Sequence, residues 1–219
     1  MIVLGINMEG KQDILSMSVV EQETANSWMG ILDDLKSRGV ADIIFLCSDN
    51  LPGLDKAIEA VYPKSIRQIC IVHQIRNSLK YVSYKDRKAV AKDVKSIYQS
   101  SNLNLAEQAL EEFKAKWADK YYPAVKSWEN NWDNLTAFLD YPLEIRKLIY
   151  TTNIIESFNA SLRKYTKNKK VFPNDNAALK SIYLAAKQIE SKWSKARKGW
   201  GQIYNQLFIN FENRVKPTI

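Results

Sequence analysis

The 219-residue chain holds two cysteines, Cys47 and Cys70, and a single histidine, His73. Two cysteines make no disulfide framework, and both thiols read as reduced small core residues. Cys70 and His73 form a C-x-x-H pair, which is half of a zinc site, and no second Cys/His pair completes four ligands. A packed or capping histidine at a strand–helix junction is the simpler reading. One histidine beside apolar residues gives no basis for a Ser-His-Asp or Cys-His-Asn triad. No run approaches the roughly 18 to 20 apolar residues that span a bilayer. The start, "MIVLGINMEG", lacks a basic n-region and reaches Glu9 too soon for a secretory signal. The default expectation is therefore a cytoplasmic (or nuclear) protein without a membrane partner.

What is present is ordinary in amount and uneven in placement. A content of 46% hydrophobic and 26% charged residues fits a folded chain and argues against wholesale disorder. The net charge of +8 is not spread evenly. Residues 1–62 carry four cations against ten acids, and residues 157–219 carry thirteen against three. A basic C-terminal part points to a polyanionic partner, above all nucleic acid, because neutralised phosphates release their counterions.

"IVLGIN" and "DILSMSVV" are β-rich runs on either side of Gly10 and read as a hairpin. "TANSWMGILDDLKSRG" follows with Trp28, Ile31, Leu32 and Leu35 at helical spacing, Thr24 as cap and Gly39 as stop. "DIIFLCSDN" (42–50) and "SIRQICIVH" (65–73) read as buried strands around a short helix at 52–63. Together these predict an α/β sheet with an antiparallel edge. Past residue 86 the strand signals stop. Amphipathic segments follow, the last three at 142–168, 176–193 and 195–213.

Asp49 ends the run "IIFLC". The carboxyl end of a strand in an open sheet is where ligands gather, so an acid there can hold metal, and it can equally cap the next helix. Glu156 is the only acid between residues 145 and 174 and precedes a run of cations. Helical periodicity puts Asn153 and Ala160 on its face, which leaves room for a second carboxylate across a shared cation. An exposed glutamate is the plainer alternative. Trp132, in "ENNWDN", has polar neighbours and is a candidate for stacking on a nucleobase.

Segments throughout the chain resemble one family. They include "VLGINMEGKQDILSMSV", "LCSDNLPGL", "ICIVHQIRNSLKYV", "YTTNIIESFNASLRKYTKNKK" and "KARKGWGQIYNQLFINFENR". They are similar to the Mutator-type DDE transposases of bacteria. The resemblance implies a ribonuclease-H-like α/β core over residues 1–85, interrupted by an all-α insertion over 86–145. Residues 146–219 would be C-terminal helices that complete the core. It implies transposition: DNA binding and metal-dependent strand cleavage and transfer at three carboxylates holding two Mg²⁺ (or Mn²⁺) ions. Asp49 matches the second Asp and Glu156 the Glu, with Cys70 and His73 as a supporting Cys-x-x-His element. Arg76, Lys80, Asn159, Arg163, Lys164, Lys167, Lys169, Lys170 and Trp132 are the expected DNA contacts, and a homo-oligomer the expected assembly.

The match departs from the family at its start. The strand carrying the first Asp precedes the segment that begins here as "IVLGIN", so the first strand and first acid are expected to be missing and the chain inactive alone. "SDN" replaces Asp-Gly, and Pro52 stands where Lys is common. A non-catalytic DNA-binding remnant or regulator derived from a transposase is the alternative.

Overall fold

The computed structural model describes residues 1–18, 20, 22–150, 153–167 and 172–215, with Asn153 described in its backbone only. In chain order these form β1 (Ile2–Ile6), β2 (Gln12–Met17), α1 (Ala25–Ser37), β3 (Phe45–Ser48), α2 (Leu54–Val61), β4 (Ile66–Ile69), α3 (Ile71–Lys80) and α4 (Arg87–Tyr98). There follow α5 (Leu103–Asn130), α6 (Trp132–Thr136), a 3₁₀ turn (Ala137–Asp140), α7 (Leu143–Ile149), α8 (Asn153–Thr166), α9 (Asp175–Glu190) and α10 (Trp200–Asn210). The architecture is mixed α/β and mostly helical. It divides into two compact units: Met1–Asp42, Pro52–Pro63 and Asn153–Ile219 form the first, and Ile43–Leu51 with Lys64–Thr152 the second.

In the first unit β1 and β2 pair antiparallel with a register shift between Val3 and Leu4. Their turn is closed by Asn7, whose Oδ1 accepts from the Glu9 and Lys11 amides, each at 3.0 Å. Gly10 sits there at φ 77, and an added Cβ would lie 2.4 Å from the Trp200 ring, so glycine is required twice over. The hairpin's apolar residues Ile2, Leu4, Ile14 and Met17 pack on Phe158, Leu162, Ala185, Ala186 and Ile189 of α8 and α9. Full burial of a side chain such as Phe158 or Ile189 contributes about 1.5–3 kcal/mol. Thr24 Oγ1 caps α1 by accepting from the Ser27 amide at 3.2 Å, and the helix buries Trp28, Ile31, Leu32 and Leu35. The same turn of α1 lies against Gly53, where a Cβ would come within 2.7 Å of Ala25.

In the second unit β3 and β4 pair parallel from Phe45↔Ile66 to Ser48↔Ile69. Gln68 on β4 is fully buried, and its amide bonds are all made: Nε2 donates to the Leu135 carbonyl at 3.1 Å and Oε1 accepts from the Phe138 amide at 2.9 Å. That ties the strand to α6 and the 3₁₀ turn. On α3, Ser78 Oγ accepts from buried Trp128 Nε1 at 3.0 Å, which fixes α3 on α5. The α5 backbone leaves helical geometry at Tyr121 (φ −134, ψ 46), two residues before Pro123. Proline supplies no amide and crowds the preceding turn, so the helix kinks there.

Several expectations change. Among the described residues the strands make two separate pairs, not one sheet, because each strand bonds only its nearest neighbour in the chain. β3 is half-buried along its length instead of buried. β4 ends at Ile69: β3 stops at Ser48, whose carbonyl takes a last bond from the Cys70 amide at 2.8 Å. Ile71–His73 then turn into α3, with the Cys70 carbonyl accepting from the Gln74 amide. The expected helix over 142–168 is two helices, α7 and α8. The expected helix at 195–213 starts only at Trp200, because Gly199 precedes it in the left-handed region at φ 76.

Candidate active site and nucleic-acid surface

Asp49 follows the last residue of β3, at the carboxyl end of the parallel pair. Its backbone is held before its side chain is considered. The Asp49 carbonyl accepts from the Leu51 amide at 2.8 Å, from Ser48 Oγ at 2.5 Å and from Arg67 Nη2 at 2.9 Å. Arg67 Nη1 also donates to Ser48 Oγ at 2.7 Å. Arg67 is only 8% exposed, so a buried guanidinium fastens the strand end from below. The neighbouring Asn50 Nδ2 donates to Asn131 Oδ1 at 3.0 Å, which secures the other side of the turn.

The Asp49 carboxylate itself is 43% exposed, and its Oδ1 accepts from His73 Nδ1 at 2.8 Å. No described residue takes up its Oδ2. The helix start that displaced His73 from the strand is what makes this possible: Cys70 is the N-cap of α3 and His73 lies in its first turn. His73 Nδ1 also lies 3.3 Å from Cys70 Sγ, and its Nε2 faces Arg76 Nη1 at 3.5 Å. With a carboxylate at Nδ1 and a guanidinium donor near Nε2, the contacts favour the tautomer with its proton on Nδ1. One ligand atom each from Asp49, Cys70 and His73 lies within 4.8 Å of the other two. The sequence showed half a zinc site; the fold adds a third donor from a separate strand. Cys47 is not one of these three groups, and loss of solvation pushes its thiol up to about 12.

Glu156 is half-buried in the first turn of α8 and belongs to the first unit, whereas Asp49 belongs to the second. Counting along α8 at 3.6 residues per turn, Arg163 and Lys167 both fall within about 20° of the Glu156 direction. Lys167 follows the helix, but its amide still bonds the Arg163 carbonyl at 2.8 Å, so the helical path continues to it. Arg163, Lys164 and Lys167 are exposed. Asn159 is half-buried and, with Arg163, Leu162, Thr166, Phe172 and Ile182, lines a cavity of about 340 Å³.

The second unit repeats the pattern in miniature. Arg76 and Lys80 are exposed and one turn apart on α3, following His73 on the same face. Lys80 Nζ donates to Asn77 Oδ1 at 2.8 Å. Trp132 opens α6 half-buried, next to the Asn131 that holds Asn50. Lys169 and Lys170 lie outside the described residues. The chain thus sets one carboxylate ahead of a line of cations in each unit. Arg67 and Asn131 were missed in the sequence. A lone arginine inside the apolar run "SIRQICIV" was the available signal for the first, and nothing local marked the second.

Among the described residues, no helix is long and apolar enough to cross a membrane. The sequence model of the family described as "Transposase, Mutator family" matches residues 1–196. A probable transposase for an insertion sequence element from Corynebacterium diphtheriae is 39% identical, covering 96% of this chain and 67% of that protein. A probable transposase for the insertion sequence element ISRM3-like from Sinorhizobium fredii is 37% identical over 97% of this chain. The transposase for insertion sequence element ISRM3 of Rhizobium meliloti is 36% identical over the same share. This chain spans 54% of the length of each of those two relatives. With 196 of its 219 residues matched, the chain belongs to the Mutator family of transposases.

Proposed function

We propose that the chain carries the catalytic acids of a DDE transposase with a ribonuclease-H-like core, in which Asp49 and Glu156 hold divalent cations for cleavage and transfer of DNA strands. The observation that carries this reading is the Asp49 carboxylate. It stands at the carboxyl end of a parallel strand pair, where such sheets gather ligands, with Oδ1 anchored on His73 and Oδ2 open to a ligand. A hard cation such as Mg²⁺ or Mn²⁺ takes carboxylate oxygens and keeps much of its water, which suits a half-exposed acid. A cation pair, when bound, stabilises the attacking and leaving oxygens of an in-line displacement at phosphorus.

The chain's own residues do the rest. His73 holds Asp49 in one orientation, and Arg67 fixes the backbone beneath it. Arg163, Lys164 and Lys167, with Arg76 and Lys80, engage phosphates with little regard to sequence, and Trp132 stacks on a base. Asp49 and Glu156 supply two of the three acids the mechanism uses. The 219 residues alone are therefore read as binding DNA without cutting it, and self-association belongs to the same proposal.

The test is a strand-cleavage assay in Mg²⁺. The chain should bind DNA without nicking it. When joined to a strand from a full-length relative that brings a third acid, it should cleave, and Asp49→Ala or Glu156→Ala should abolish that cleavage. Cleavage that survives Glu156→Ala would overturn the assignment. A second reading rests on the Asp49–Cys70–His73 cluster, whose oxygen, sulfur and nitrogen donors suit a zinc-type ion with one open position. Zn²⁺ affinity that falls with Cys70→Ser while Mg²⁺-dependent cleavage persists would assign the cluster to that ion.

A further inference from the structure

The side of α8 turned about 150° away from Glu156, by helical geometry, faces a cavity of about 270 Å³ in the first unit. Its walls fall into two kinds. Ile154, Phe158, Ile189 and Trp193 are apolar, and the Trp193 ring sits 5.7 Å from that of Phe158, tilted by 53°. Gln12, Ser157, Ser161 and Arg197 are polar, with the two serines one helical turn apart.

Arg197 is the residue that asks for a ligand. It is half-buried, and the loss of solvation lowers its affinity for its proton. No carboxylate among the described residues pairs with its guanidinium, and none of them takes up the Ser157 or Ser161 hydroxyl. A cation is rarely drawn out of water without an anion to meet it. Its position is fixed by the hairpin turn: the Arg197 amide donates to the Gly10 carbonyl at 3.0 Å, and Trp200 Nε1 donates to the Met8 carbonyl at 2.9 Å. The arrangement does not depend on a flexible tail. Arg197 also lies just past the last residue matched by the family model.

We propose that this cavity binds a single nucleotide, with its phosphate on Arg197, Ser157 and Ser161 and its base against Trp193. Arginine presents a planar fork of donors that matches phosphate oxygens, and serine hydroxyls complete the shell. An indole offers a sequence-tolerant surface to any base. A cavity of about 270 Å³ lies at the small end of ligand sites, so it holds one nucleotide and not a longer stretch. The inference stands on the geometry of one unit and needs neither Asp49 nor Glu156. It rests on the DNA-binding reading only for one of two sources of the nucleotide, a unit of single-stranded DNA or a free mononucleotide.

The experiment is equilibrium binding to the purified chain, by calorimetry, of inorganic phosphate, thymidine, thymidine 5′-monophosphate and a short oligothymidylate. The monophosphate should bind more tightly than phosphate or thymidine by about tenfold or more, as expected when two sets of contacts combine. Arg197→Gln and Trp193→Phe should each weaken it, the former by about tenfold or more, while Lys195→Ala leaves it unchanged. With Arg197-dependent monophosphate binding in hand, Arg197-dependent binding of the oligonucleotide as well identifies DNA as the source, and its absence identifies a free nucleotide. Both support the site. Arg163→Ala with Lys167→Ala should reduce duplex binding and leave the monophosphate untouched, which separates failure here from failure of the DNA surface. Monophosphate binding that is absent, no tighter than inorganic phosphate, or indifferent to Arg197→Gln in a variant with wild-type melting would overturn the proposal.

Discussion

Replacing Arg163 and Lys167 together by Ala should weaken DNA binding and flatten its dependence on salt. Both side chains are exposed and lie on the Glu156 face of α8, four residues apart and so separated by about 6 Å of rise. That separation lets each meet its own phosphate. Each phosphate contact contributes about 0.9 to the slope of log affinity against log salt, so losing two should reduce the slope by about 1.8. Between about 50 and 200 mM salt, a reduction of that size makes the variant lose about 12-fold less affinity than the parent chain. Stability should hardly change, since exposed substitutions away from caps and cores stay within about 0.5 kcal/mol. The assay is fluorescence anisotropy with a labelled duplex at four or five salt concentrations, with thermal melts of both proteins. A lower affinity with an unchanged slope would refute the reasoning, because it would mean the two cations do not neutralise phosphate.

The remaining expectations concern contacts that hold the second unit together. Arg67→Met removes two donors to the end of β3, at Ser48 Oγ and the Asp49 carbonyl, and leaves a buried cation's space apolar. It should destabilise the second unit by about 2–4 kcal/mol in urea denaturation, and a loss below about 1 kcal/mol would show that the strand end holds itself. Asp86 accepts from Lys120 Nζ and the Tyr121 hydroxyl, each at 2.5 Å, and these hydrogen bonds hold its carboxyl down at about 2 from the usual 3.8. A depressed acid stabilises the fold fully above its unfolded value and loses that contribution as pH falls towards its folded value, here from about 3.8 to about 2. Asp86→Asn should therefore flatten the acid limb of stability in that window, and an acid limb identical in both proteins would contradict the assignment.

Much of this fold was legible where the deciding interactions are local. Thr24, Gly39 and the spacing of Trp28, Ile31, Leu32 and Leu35 mark α1 to within a residue or two, because caps and periodicity act over one or two turns. The hairpin around Gly10 was legible for the same reason. The end of β4 was not. "QICIVH" is apolar and β-branched enough for a strand, and what stops it is the length of β3, a partner some twenty residues earlier. That single boundary matters chemically, since it moves His73 from a strand to the first turn of α3, within reach of Asp49. Gly199 likewise shortened α10 through a left-handed backbone that composition alone does not reveal. Of the proposed metal-binding acids, Asp49 stood out by its place and Glu156 by its isolation. The link from Arg67 to the Asp49 carbonyl is a tertiary contact and could be seen only in three dimensions.

The central claim is that Asp49 and Glu156 each hold a divalent cation, and iron-directed cleavage of the polypeptide tests it most directly. Fe²⁺ placed in a Mg²⁺ site and supplied with hydrogen peroxide and ascorbate generates hydroxyl radicals that cut the backbone beside its ligands. The account predicts cuts next to both Asp49 and Glu156, competed away by excess Mg²⁺, with the cuts beside each acid lost when that acid is replaced by Ala. No cuts beside one of the two acids, or cuts that persist when the neighbouring acid is Ala, would contradict it.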